Sequence, residues 1–99
     1  MEITLQYFDG CPNWTTVERQ LTELISGRPD LTLRRELVAT AEQAERIGFR
    51  GSPSILVDGI DPFAYPNAPV GLACRIYATP AGPAGAPTKA QLREVLGDV

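Results

Sequence analysis

Histidine is absent from the 99 residues of this chain. That absence removes cysteine–histidine and serine–histidine–aspartate catalysis, and most zinc sites with them. Cysteine is scarce: Cys11 and Cys74 are the two in the sequence. Two are too few for a disulfide framework, so each is expected to be a buried filler or a reactive group. Basic residues do not dominate. Nine Lys plus Arg against twelve Asp plus Glu give a net charge of −3, and the nine are dispersed. Without a basic field, nucleic acid is not an expected partner. Apolar runs are short, and none approaches the roughly 20 residues that span a bilayer. The N-terminus shows no basic region ahead of an apolar stretch, so no signal peptide is read there. No membrane partner is expected, and the default location is the cytoplasm, where thiols stay reduced.

What is present suffices for one core. Hydrophobic residues make up 43% of the chain, and the length fits a single domain over residues 1–99. Residues 2–8 read as a strand, because Ile3, Leu5 and Tyr7 alternate with Thr4 and Gln6. Residues 14–27 read as a helix with Trp14, Val17, Leu21, Leu24 and Ile25 on one face, stopped by Gly27 and Pro29. Residues 31–38 read as a strand, and the polar run Arg34-Arg35-Glu36 suggests an outer place in a sheet. A short helix opens at Thr40 and ends at Gly48, and residues 54–58 and 72–78 read as two further strands. A last helix follows Thr88, with Leu92, Val95 and Leu96 as its stripe. Three Thr-x-x-Glu/Gln capping boxes are expected, at Thr15/Glu18, Thr40/Gln43 and Thr88/Gln91. The order is βαβαββα. Two proline-rich stretches, 59–71 and 79–87, read as irregular. Each is either a functional loop or a stiffened surface connection.

Cys11 follows the turn Asp9-Gly10 and precedes Pro12 and the first helix. The free N–H groups of residues 13 to 15 and the helix dipole would favour a thiolate there. The Asp9 carboxylate would oppose it. The alternative is a buried thiol packed as a small hydrophobe. Trp14 either packs in the first turn or forms a flat wall beside Cys11. Cys74 shares a strand face with Leu72 and Ile76, which suits a buried filler; Arg75, pointing the other way, is free to pair with Asp58 or Asp61.

With Cys11 ahead of the first helix and Pro53 ahead of the third strand, the chain resembles the thioredoxin-like family in its small, glutaredoxin-sized form. The segments Asp9-Gly10-Cys11-Pro12-Asn13-Trp14, Gly51-Ser52-Pro53 and Gly71-Leu72-Ala73-Cys74-Arg75-Ile76-Tyr77 are also similar to small actinobacterial proteins labelled thioredoxin-family or alkylmercury lyase. The resemblance implies an α/β fold with a four-stranded mixed sheet and helices on both faces. It implies Cys11 as nucleophile, with Cys74 as a candidate second catalytic thiol. It implies a cis Ser52–Pro53 peptide whose strand edge pairs with extended substrates, and Pro12, Trp14, Ser52 and Pro53 as substrate-binding residues.

The family's dithiol motif has a cysteine where this chain has Trp14, so the resolving thiol is Cys74, an external thiol such as glutathione or mycothiol, or nothing. In the family's sheet the 72–78 strand lies two positions from the first, an offset of roughly 10 Å. A bridge needs Cα atoms closer than about 7 Å, so an 11–74 disulfide would require movement or an unusual course of residues 59–71.

The leading expectation is a thiol–disulfide oxidoreductase or thiol transferase acting on a protein or low-molecular-weight thiol or disulfide, with no cofactor and no resident metal. A second is a non-catalytic module that binds peptides at the Pro53 edge, with Phe63, Tyr65 and Tyr77 as contacts. The third is soft-metal or organomercurial chemistry on two thiolates, with Asp9 as proton donor.

Overall fold

The computed structural model describes residues 1–64 and 69–97. Among these residues the structure is mixed α/β, with three helices. Strand β1 (Glu2–Tyr7) is central, with β2 (Thr32–Leu37) parallel on one side and β3 (Ser54–Val57) antiparallel on the other. A parallel pair needs a long crossover, and helix α1 (Trp14–Ile25) provides it. The polar run 34–36 therefore does mark an edge strand.

Alternation in β1 sends Ile3 and Leu5 fully into the main core. They meet Val17 and Leu21 of α1, Ile55 of β3, and Leu92 and Leu96 of helix α3 (Lys89–Leu96). Helix α2 (Ala41–Ile47) contributes Ala44 to a separate small cluster with Val38 and Phe49.

Three expectations change. The strand expected over 72–78 forms only as β4 (Tyr77–Thr79), which pairs with β5 (Gly82–Ala84) in a separate antiparallel hairpin. The order is thus βαβαβββα, with a three-stranded sheet and a two-stranded one in place of four strands in one sheet. The sequence reads irregular at 79–87 because of its prolines, but Pro83 is tolerated in a two-stranded ribbon, where a strand can leave one side unpaired.

The capping boxes form unequally. At Thr88 the box is complete. At Thr40 the hydroxyl accepts from Gln43 N–H, but the Gln43 side chain accepts from Ala39 N–H instead. At Thr15 there is none: the N-cap is Asn13, two residues earlier, so Thr15 lies inside α1, and Glu18 pairs with Arg35.

Candidate functional site

Cys11 and Cys74 are joined in a disulfide with Cα atoms 5.7 Å apart. The expected 10 Å offset does not arise, because residues 71–76 are not a strand of the main sheet. They fold back onto the segment ahead of β3. Gly71 N–H donates to the Phe49 carbonyl (3.0 Å), Ser52 N–H to Ala73 (2.8 Å), and Arg75 N–H to Ser52 (2.9 Å). Cys74 thus lies beside Ser52 as an isolated parallel bridge.

Ser52 organises the site. It is fully buried. Its hydroxyl accepts a long bond from Phe8 N–H (3.4 Å), at the end of β1. Its carbonyl oxygen lies 3.6 Å from Cys11 Sγ. Both backbone groups of Ser52 are taken by residues 73 and 75. The edge expected to receive an extended substrate at Ser52 is therefore occupied by the chain itself. The Ser52–Pro53 peptide is cis, and the Pro53 carbonyl accepts from the Tyr77 hydroxyl.

The two sulfur-bearing residues differ in environment. Cys11 is fully buried, and its N–H closes a turn onto the Phe8 carbonyl (3.3 Å). Cys74 is exposed. The burial of Cys11 matches the alternative of a packed thiol, and the exposure of Cys74 departs from the buried-filler expectation. Alternation along a strand placed Cys74 inward, and no strand exists at that point. The helix end also differs: Thr15 N–H, expected to face the sulfur, bonds to the Pro12 carbonyl at 3.2 Å.

Arg75 anchors the folded-back segment. Its guanidinium meets Asp61 at 2.6 Å and the Phe63 carbonyl at 2.7 Å, and lies 4.6 Å from the Tyr77 ring centre. Of the two carboxylates expected as partners, Asp61 takes the arginine, while Asp58 accepts from Glu2 N–H. Gly51 makes the fold-back feasible, because a Cβ there would sit 3.1 Å from the Ala73 carbonyl oxygen. The sequence shows Gly51 only as part of the Gly51-Ser52-Pro53 segment, with no sign of this role.

Pro12 is exposed. Trp14 stacks on Tyr7 (centroids 4.3 Å) against the main core, which favours its packing reading. Tyr77 is buried and engaged with Pro53, so it offers no surface contact, and Phe63 packs edge-on against it at 5.4 Å. Tyr65 lies outside the described residues. Asp9 is exposed. Among the described residues no group of three or more Cys, Asp or Glu side chains could hold a metal ion, and no helix is long and apolar enough to cross a membrane.

No family model, no curated protein and no solved structure matches this chain.

Proposed function

We propose that this protein is a thiol–disulfide oxidoreductase of thioredoxin-like type, exchanging one dithiol, Cys11–Cys74, with a protein or low-molecular-weight thiol. The observation that carries the reading is that the only two cysteines in the chain lie within bonding reach, one of them at the surface. A bridge reachable from solvent can be opened and closed by external thiolates, which a fully buried bridge resists. The β1–α1–β2 unit, the position of Cys11 between β1 and α1, and the Pro53 segment beside it support the thioredoxin-like assignment. A cytoplasmic setting fits the same reading, since cytosolic disulfides are mostly transient redox ones.

Equilibration in glutathione buffers tests this. An exchange-active pair is expected to reach half oxidation between about −270 and −120 mV, where dithiol oxidoreductases lie; a midpoint below about −300 mV marks a purely structural bridge and overturns the proposal.

A further inference from the structure

We infer that Cys74 is the sulfur at which the partner thiol exchanges, and that Cys11 is the inward sulfur that leaves and returns. This rests on the exchange reading above and assigns its direction.

An attacking thiolate must approach the sulfur it displaces, so access decides which end of a disulfide reacts. Cys11 is 0% exposed and is enclosed by the Phe8–Cys11 turn and Ser52. Cys74 is exposed, on a segment whose inner side is fixed by Arg75. Exposed Val70, Leu72 and Ile76 flank it along the chain. Exposed apolar side chains on either side of Cys74 in the chain suit a thiol carried on a protein.

A partner thiolate attacks Cys74 Sγ, and a new bond forms between the partner sulfur and Cys74. The Cys11–Cys74 bond breaks, and its electron pair stays on Cys11 Sγ. Cys11 takes up the proton that the partner thiol gave up on ionising. The resulting S–H faces the Ser52 carbonyl oxygen, 3.6 Å away in the oxidised form. A second partner thiolate then attacks the first partner's sulfur and releases the Cys74 thiolate. Two partner thiols are oxidised to one disulfide, and the protein's disulfide is reduced to a dithiol. In reverse, the Cys74 thiolate attacks a substrate disulfide, whose S–S bond breaks to release one substrate thiolate and leave the other half bonded to Cys74. Cys11 then attacks Cys74 Sγ and expels the bound thiolate.

The test uses the full chain and glutathione. Reduced wild-type protein is pulsed with iodoacetamide and the label mapped by peptide mass. Reduced Cys11→Ser and Cys74→Ser are separately mixed with glutathione disulfide. The pulse is expected to label Cys74 first. Cys11→Ser, which keeps Cys74, is expected to form its glutathione adduct on the order of tenfold faster than Cys74→Ser. Equal or faster reaction at Cys11 in the wild-type pulse overturns this assignment while leaving dithiol exchange standing. Absence of any adduct in either variant, with no glutathione-buffer transition in the wild type, overturns the exchange reading and the assignment together. The wild-type pulse requires no variant to fold.

Discussion

The Arg75 guanidinium grips the Asp61 carboxylate with two nitrogens, Nη1 to Oδ2 at 2.6 Å and Nη2 to Oδ1 at 3.3 Å. The arginine side chain is 2% exposed. Asp61 lies just past the turn that follows β3, whereas Arg75 is covalently next to Cys74. The ion pair therefore fixes the segment that carries the exposed residue Cys74 to the edge of the main sheet. The link runs from one buried charge to the geometry of the disulfide.

Breaking this pair from one side leaves a buried cation without its counter-ion. Asp61→Ala is expected to lower the unfolding free energy in urea by about 3–5 kcal/mol. Arg75→Met combined with Asp61→Leu is expected to recover most of that loss, since both charges are then gone. A single-variant loss within about 0.5 kcal/mol, the range of ordinary surface changes, would show that the pair does not hold the segment.

The disulfide spans a sequence separation of 63 residues. Cross-linking a loop of that size removes unfolded-state entropy equivalent to roughly 4 kcal/mol at 25 °C in the chain-entropy description. Reduction with dithiothreitol is therefore expected to lower stability by up to about that amount. Oxidised and reduced protein compared by urea unfolding at the same pH give the value. An unchanged midpoint would mean that the fold-back is held by Arg75 and Ser52 without help from the bridge.

Helix capping separates what the sequence pattern suggests from what the geometry contains. At Thr88 the hydroxyl accepts from Gln91 N–H (3.1 Å) and the Gln91 side chain accepts from Thr88 N–H (2.8 Å). Gln91 also donates to the Ala78 carbonyl (2.9 Å), tying α3 to β4. Thr88→Ala is expected to cost about 1 kcal/mol. Thr15 has the same local sequence pattern, but its hydroxyl donates to Pro12 and caps nothing. Thr15→Ala is expected to stay within about 0.5 kcal/mol. Equal losses for the two in thermal or urea unfolding would contradict this distinction.

Glu23 on α1 and Lys89 on α3 pair across the helix interface at 2.7 Å. The hydrogen bond from Lys89, then its charge, holds the Glu23 carboxyl below its ordinary 4.5. A carboxyl depressed in the folded state stabilises above its unfolded pKa. That contribution is lost as pH falls through the folded value. Lys89→Ala is expected to raise the Glu23 midpoint toward 4.5, read by NMR titration. Both side chains are largely solvated, so salt is expected to weaken the shift in the wild type. A Glu23 midpoint insensitive to the substitution would show that the contact is not populated.

Legibility followed the range of the interaction. The short-period signals around β1, α1, β2, α2, β3 and α3 were readable because each element shows its own buried face or cap. The edge position of β2 was readable from charge placement, and the partner of Arg75 was readable as one of two carboxylates, Asp58 or Asp61. The exposure of the two cysteines was not, because it depends on how residues 59–76 return to the sheet. Leu72, Cys74 and Ile76 alternate as a buried strand does. Hydrogen bonds from Ser52 to Ala73 and from Arg75 to Ser52, together with the inward pull on Arg75, override that pattern. Two cysteines 63 residues apart carry no local sign of being neighbours.

Gly51 is where that return can be tested most directly. Its φ is +105°, a conformation glycine adopts and other residues resist. An added Cβ would stand 3.1 Å from the Ala73 carbonyl oxygen, 3.1 Å from Arg75 Cβ and 3.3 Å from Arg75 Cα. Backbone and a stem carbon cannot swing aside as a side-chain tip can, so residues 73–75 would have to move. Cys74 lies between them and would move as well. Gly59 is the control: its φ is +84°, and a Cβ there meets nothing within 4 Å. Gly59→Ala therefore carries the conformational cost alone, about 1–3 kcal/mol. Gly51→Ala carries that cost and the displacement of the disulfide segment. It is expected to be the more destabilising in urea, and to leave a smaller fraction oxidised in one fixed glutathione buffer. Gly59→Ala should leave the oxidised fraction at the wild-type level. If the two variants lose equal stability and oxidise alike, the close approach of Gly51 to Ala73 does not govern how the thiols meet.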